Sequence, residues 1–171
     1  MAVKKSELYS LLWDACNKLR GGVEPSRYKD YVLVLLFFKY VSDRYKGQRF
    51  AEFTVNEGAS FDDLIAAKGK PDVGERVDVI LQKFLEDNKL VGALPDVSFN
   101  NPDELGSGKE LVDKVSGLIA IFQNPAIDFK SFLSYTFPLP FERLMERQLY
   151  YRHLYRSLPA HIQLKYQVKT V

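Results

Sequence analysis

Seven cations carry the clearest binding pattern in the sequence. Lys18 and Arg20 precede a Gly21-Gly22 pair, Arg27 and Lys29 follow it, and Arg44, Lys46 and Arg49 come further along the same segment. Cations grouped around a turn suit contacts to nucleic-acid phosphates, which give affinity and position but little choice of sequence. The same residues admit a plainer account. Lys18 and Arg20 can be charges that favour the negative C-terminal end of a helix, and Arg27 can simply pair with Glu24.

Catalytic patterns are sparse. Gly108-Lys109 is followed by Glu110 where a phosphate loop needs Ser or Thr, and Asp103 stands where that loop needs its first glycine. Cys16 falls on an apolar helical stripe and reads as a core cysteine instead of a nucleophile. His153 and His161 read as surface histidines, with no ligand spacing that defines a metal site. The many carboxylates between residues 51 and 113 read as solvated helix faces. No catalytic residue, cofactor-binding residue or metal ligand is assigned.

The elements that must position the cations are helices. Leu8, Leu11, Leu12, Ala15, Cys16 and Leu19 form one stripe at helical spacing, with Ser6 as a candidate N-cap and Gly21-Gly22 as the stop. A second helix is expected from Glu24-Pro25 through Val41, with proline at its first position. Tyr31–Phe38 is apolar on every side, so this helix should be central. Ser60 with Asp63 predicts a capping box before a short helix over Phe61–Lys68, and Asp72 predicts the cap of a helix reaching Asn88. Val91–Gly106 reads as a loop. Ser107 with Glu110 predicts a second capping box, opening a helix that ends before Asn124-Pro125. The fold class expected is all-α, a helical bundle with an irregular C-terminal tail.

Composition agrees with a folded domain. The chain has 171 residues, 46% hydrophobic and 27% charged, which predicts a buried core and one domain or one domain plus an appendage. One cysteine excludes an internal disulfide framework and points to a reducing compartment. The N-terminal residues lack the unbroken apolar core of a secretory signal, and Tyr31–Phe38 is far shorter than the roughly 20 residues of a membrane span. A cytoplasmic protein with no membrane association is expected. The net charge of +2 conceals a basic segment to residue 50, an acidic one to 131 and a basic one after it. A basic face for a polyanion can therefore exist within a near-neutral chain. After Phe132 the composition changes. No aspartate follows Asp128, and both histidines and five of the ten tyrosines lie there, which sets the expected boundary between a helical domain (1–131) and a divergent tail (132–171). Within the tail, Phe141–Ser157 reads as helical and Leu164, Tyr166 and Val168 alternate like a strand.

Three stretches together form a longer pattern: Leu12-Trp13-Asp14-Ala15-Cys16-Asn17-Lys18-Leu19-Arg20-Gly21, then Pro25-Ser26-Arg27-Tyr28-Lys29-Asp30-Tyr31-Val32-Leu33, then Phe37-Phe38-Lys39-Tyr40-Val41-Ser42-Asp43. With Gly92-Ala93-Leu94-Pro95 and the helix from Leu111 to Phe122, this resembles the N-terminal helical domain of the methylation (M) subunit of type I restriction–modification systems, the adenine-specific DNA methyltransferases. The resemblance covers about residues 7–131. It implies double-stranded DNA, the specificity (S) subunit and the restriction (R) subunit as partners. It also implies a Rossmann-like domain that binds S-adenosylmethionine and an Asn/Asp-Pro-Pro-aromatic loop facing a flipped adenine. This chain departs from that pattern. Its nearest match, Asn101-Pro102-Asp103-Glu104, lacks the second proline and the ring, and residues 132–171 are too few for an ordinary catalytic domain. The expectation is a truncated M subunit with no cofactor in this chain and no methyl transfer by it alone. Its tail would come from a shifted reading frame or an aberrant gene end, which sequencing downstream in the other frames would reveal. The alternative is an interaction domain that binds the S subunit while other subunits touch the DNA.

Overall fold

The computed structural model describes residues 5–125 together with 127 and 128. Expectations for residues 132–171, including the helix over 141–157, the alternation at 164–168 and the two histidines, lie outside the described residues. Six α-helices and one short 3-10 turn make up the described region: α1 (Lys5–Lys18), the 3-10 turn Pro25–Arg27, α2 (Tyr28–Tyr45), α3 (Phe61–Ala67), α4 (Val73–Asp87), α5 (Pro102–Leu105) and α6 (Lys109–Phe122). No strand occurs among the described residues. The all-α expectation holds.

The apolar run of α2 has the consequence its sequence implies. Tyr31, Val32, Val34, Leu35, Leu36, Phe37, Phe38 and Val41 are all buried, and α1, α3 and α6 pack around the helix. A helix hydrophobic on every side can satisfy itself only in the middle of a bundle. Aromatic rings fill the space beside it. Phe38 meets Phe84 of α4 edge-on, with centroids 5.1 Å apart, and Phe61 of α3 at 6.4 Å, while Phe37 meets Phe53 at 5.8 Å. Each fully buried phenylalanine contributes about 1.5–3 kcal/mol of transfer free energy.

Local signals set several boundaries. Gly21, at φ +93°, takes the left-handed conformation that follows the end of α1, and Pro25 opens the 3-10 turn that leads into α2. The Ser60–Asp63 capping box is present, with Asp63 Oδ2 accepting from the Ser60 backbone N–H at 2.9 Å. Three expectations need correction. Ser6 lies inside α1, which already begins at Lys5, so it is not the cap. The Ser107–Glu110 capping box does not form; α6 starts after Gly108, and Glu110 reaches Lys114 at 2.8 Å instead. The stretch read as a loop, Val91–Gly106, contains α5, whose N-terminus Asn101 caps by accepting from the Asp103 N–H at 3.0 Å, with Pro102 in the first turn.

That connecting segment is clamped between helices. Phe99, Ala93 and Leu105 are buried, and Phe99 packs edge-on against Tyr31 at 5.2 Å. Two glycines allow the backbone this close. A Cβ at Gly74, in the first turn of α4, would collide with the carbonyl oxygen of Phe99 and come within 3.0 Å of the Asn100 Cα; one at Gly22 would collide with the Glu104 carbonyl oxygen. The obstacle in each case is backbone, which cannot swing aside. Gly74→Ala is therefore expected to lower stability by about 1–3 kcal/mol through overpacking, although alanine is ordinarily the better helix former. Urea denaturation measures this, and a variant as stable as the parent would refute the close approach.

Candidate nucleic-acid interface

The turn after α1 gathers cations, but they have different fates. Lys18 closes α1 and is exposed, a position where its charge also complements the helix dipole. Arg20, also exposed, holds its guanidinium 5.7 Å from the centroid of the Trp13 ring. Trp13 itself is 63% exposed and Tyr9, one helical turn earlier, 45%. Lys29, in the first turn of α2, faces solvent and has no ion pair among the described residues.

Arg27 turns inward. Its Nη1 lies 2.9 Å from Oε1 of Glu104 and its Nη2 donates to the Asp96 carbonyl at 3.0 Å. The expected partner, Glu24, instead accepts from Ser26 Oγ at 3.4 Å. Glu104, only 16% exposed in its side chain, also receives the Tyr31 hydroxyl, which has the Ser98 carbonyl oxygen 3.0 Å away as a second acceptor. Burial, then the hydrogen bond to Glu104, pushes the Tyr31 hydroxyl well above its ordinary range, so it stays a donor. Beside them Asp78 accepts from Ser98 Oγ at 2.6 Å and from the Phe99 N–H at 2.7 Å. Burial raises the Asp78 carboxyl, and those two donors offset part of the rise. This cluster is a structural clamp, and it uses the charge of Arg27.

At the other end of α2 the pattern repeats. Lys46 lies 2.5 Å from Oδ2 of Asp62 and 3.2 Å from Ser60 Oγ. Arg44, half-buried, holds its guanidinium 5.9 Å from the Tyr45 ring centroid. Arg49 is exposed, with no ion pair among the described residues. Lys39 and Asp43, one turn apart, form a largely buried pair at 2.6 Å, and the Lys39 ammonium sits 5.1 Å from the Phe61 ring centroid. Ser42 Oγ accepts the Phe61 N–H at 2.7 Å and so ties α2 to the start of α3.

Helical rise separates Lys29 from Arg44 by about 22 Å, more than twice the roughly 8 Å Debye length at physiological ionic strength. The two ends cannot reinforce each other on a small anion. A duplex, carrying one charge per about 1.7 Å of axis, can span both.

Sequence reading missed two further cations. Lys109 and Lys114 of α6 border a cleft together with Lys18, Glu110 and Asp113. Both belong to the acidic middle segment, and only the packing of α1 on α6 brings them to Lys18. Cys16 is half-buried against the core, and burial pushes its thiol up against the smaller opposing effect of Arg20, which leaves it a poor nucleophile. Among the described residues there is no group of three His, Cys, Asp or Glu side chains that could hold a metal, and no helix long and apolar enough to cross a membrane. The all-helical described region presents no strand-to-helix glycine loop on which S-adenosylmethionine could rest. No step of methyl transfer is assigned to its residues.

A family model described as the HsdM N-terminal domain matches residues 8–122. No curated protein matches the chain. The matched stretch contains the Arg27–Glu104–Tyr31 clamp and the Lys39–Asp43 pair alike.

Tyr31→Phe separates the clamp from the packing around it, because the ring stays and only the hydroxyl goes. Leaving Glu104 with one donor fewer in a buried setting should cost about 1–3 kcal/mol in chemical denaturation. Unchanged stability would show that the hydroxyl contributes nothing.

Proposed function

Because the chain belongs to the HsdM N-terminal domain family, the N-terminal module of the M subunit in type I restriction–modification systems, we propose that it helps embrace DNA and assemble the subunits. In this reading Lys18, Arg20 and Lys29 contact phosphates at the turn end of α2, and Arg49, with Arg44 and Lys46 beside it, contacts them at the far end. The observation that carries the proposal is the exposure of Lys18, Arg20, Lys29 and Arg49, at opposite ends of the central helix, while neighbouring cations are committed to ion pairs. Such contacts position a duplex without reading its bases, and the choice of DNA site would rest with the S subunit.

Assembly has its own support. Trp13 and Tyr9 are large aromatics left in solvent on α1, with Arg20 over the indole. Tryptophan, tyrosine and arginine dominate the energetics of protein interfaces, so this face favours a second reading in which the module binds the S subunit and the DNA is touched by its partners.

Salt dependence decides between the two. Four exposed cations on phosphates predict that log affinity for a short duplex falls with log salt at a slope of about −3 to −4. Arg20→Ala and Lys29→Ala should each flatten the slope by about one, since each removes a phosphate contact. Arg27→Ala should leave the slope alone while lowering stability. Affinity independent of salt would defeat the phosphate contacts. A chain that fails to bind duplex at low salt yet co-purifies with the S subunit would establish the second reading.

A further inference from the structure

Two of the lysines at the edge of one cleft lie against glycines. Gly117 lies in the middle of α6, where glycine weakens a helix and no turn calls for it. A Cβ there would stand 3.3 Å from both Cδ and Cε of Lys18, so the bare glycine is the surface across which the Lys18 stem lies. At Gly22 the first obstacle to a Cβ is the Glu104 carbonyl oxygen, and the Lys114 ammonium would also be only 2.9 Å away. The cleft that Lys18 and Lys114 border has a volume of about 450 Å³, and Lys109, in the first turn of α6, lines it as well. Of its two carboxylates, Glu110 is engaged with Lys114 at 2.8 Å. That leaves the exposed Lys18 and Lys109 facing the cleft, with Asp113 as the opposing charge.

We propose that this cleft binds a phosphate oxyanion through Lys18 and Lys109, with Lys114 behind them, and that the phosphate is one of duplex DNA. The identity of the occupant rests on the DNA reading given above; the anion site rests on the lysines and the glycines that seat them. The site adds Lys109 and Lys114, from the acidic part of the chain, to the cations of the turn. It also gives Gly117 a purpose: side-chain space for Lys18.

The test uses the full chain with two probes, inorganic phosphate followed by amide NMR shifts and a short DNA duplex followed by salt-dependent binding. Lys109→Ala should weaken phosphate binding about two- to five-fold, the range for one exposed ion pair, and Asp113→Asn should strengthen it by a similar factor. Gly117→Ala carries the sharpest contrast. The flexible Lys18 side chain can move aside, so the melting temperature should rise with helix propensity while phosphate affinity falls. With duplex, Lys109→Ala and Gly117→Ala should each flatten the salt slope.

Absence of phosphate-dependent shifts around the cleft, or equal phosphate affinity in the parent, Lys109→Ala and Gly117→Ala, overturns the site. Duplex binding that none of these variants alters overturns it as well, and leaves the wider DNA reading standing. Phosphate binding with no duplex binding upholds the anion site but overturns its assignment to DNA, and the DNA contacts proposed above fall with that assignment.

Discussion

Glu104 is the fixed point of this fold. A carboxylate so little exposed is tolerable only when charge and hydrogen bonds compensate it, and removing one partner from such a group is far more costly than the pair is worth. Here Arg27 supplies the charge and Tyr31 the hydroxyl. Both stand at the start of α2, while Glu104 stands on α5, so the compensation can form only if the segment from Val91 to Gly106 folds back over the central helix. The rest follows from that demand. Gly22 must be bare because the Glu104 backbone runs against it, Phe99 must enter the core beside Tyr31, and Asp78 must hold the Phe99 and Ser98 groups from the other side.

What was legible in the sequence is what neighbours along the chain decide. The burial of α2 follows from an apolar run with no polar face, the Gly21 turn from left-handed backbone, and the Ser60–Asp63 box from two side chains three residues apart. Where the outcome depended on distant residues, local reading failed in specific ways. Ser107 and Glu110 have the right spacing for a box, but Lys114 competes for the Glu110 carboxylate and Gly108, at φ +56°, starts the helix one residue later. Arg27 has a carboxylate three residues back in Glu24, yet a less exposed carboxylate from elsewhere in the chain takes it. The candidate site was legible in part for the same reason. Exposure of Lys18, Arg20, Lys29 and Arg49 agrees with their sequence setting, whereas the cleft needs two helices far apart in sequence.

The family motifs themselves are largely scaffold. In Phe37-Phe38-Lys39-Tyr40-Val41-Ser42-Asp43, the phenylalanines fill the core, Lys39 and Asp43 neutralise each other, and Ser42 receives the first N–H of α3. None of these groups is left over for a ligand. In the earlier motif Arg27 and Tyr31 are likewise committed inward, while Trp13, Arg20 and Lys29 remain outside. The outward set is small, aromatic and cationic.

The alternation of charge along the chain acquires a physical meaning from these pairings. The acidic middle segment does not merely offset the basic first one in a sum; it supplies Glu104 to Arg27 and Asp62 to Lys46, each across a long stretch of sequence. Those pairs engage cations that the fold needs for its own closure, Arg27 against a little-exposed carboxylate and Lys46 in a pair that stays exposed. Of the basic first segment's cations, the exposed Lys18, Arg20, Lys29 and Arg49 stand outside those pairs, at the two ends of α2 and separated by more than a screening length. A ligand that benefits from both ends must itself be long and repeatedly charged. A small anion can benefit only where packing concentrates lysines locally, and the described residues do this where α1 lies across α6.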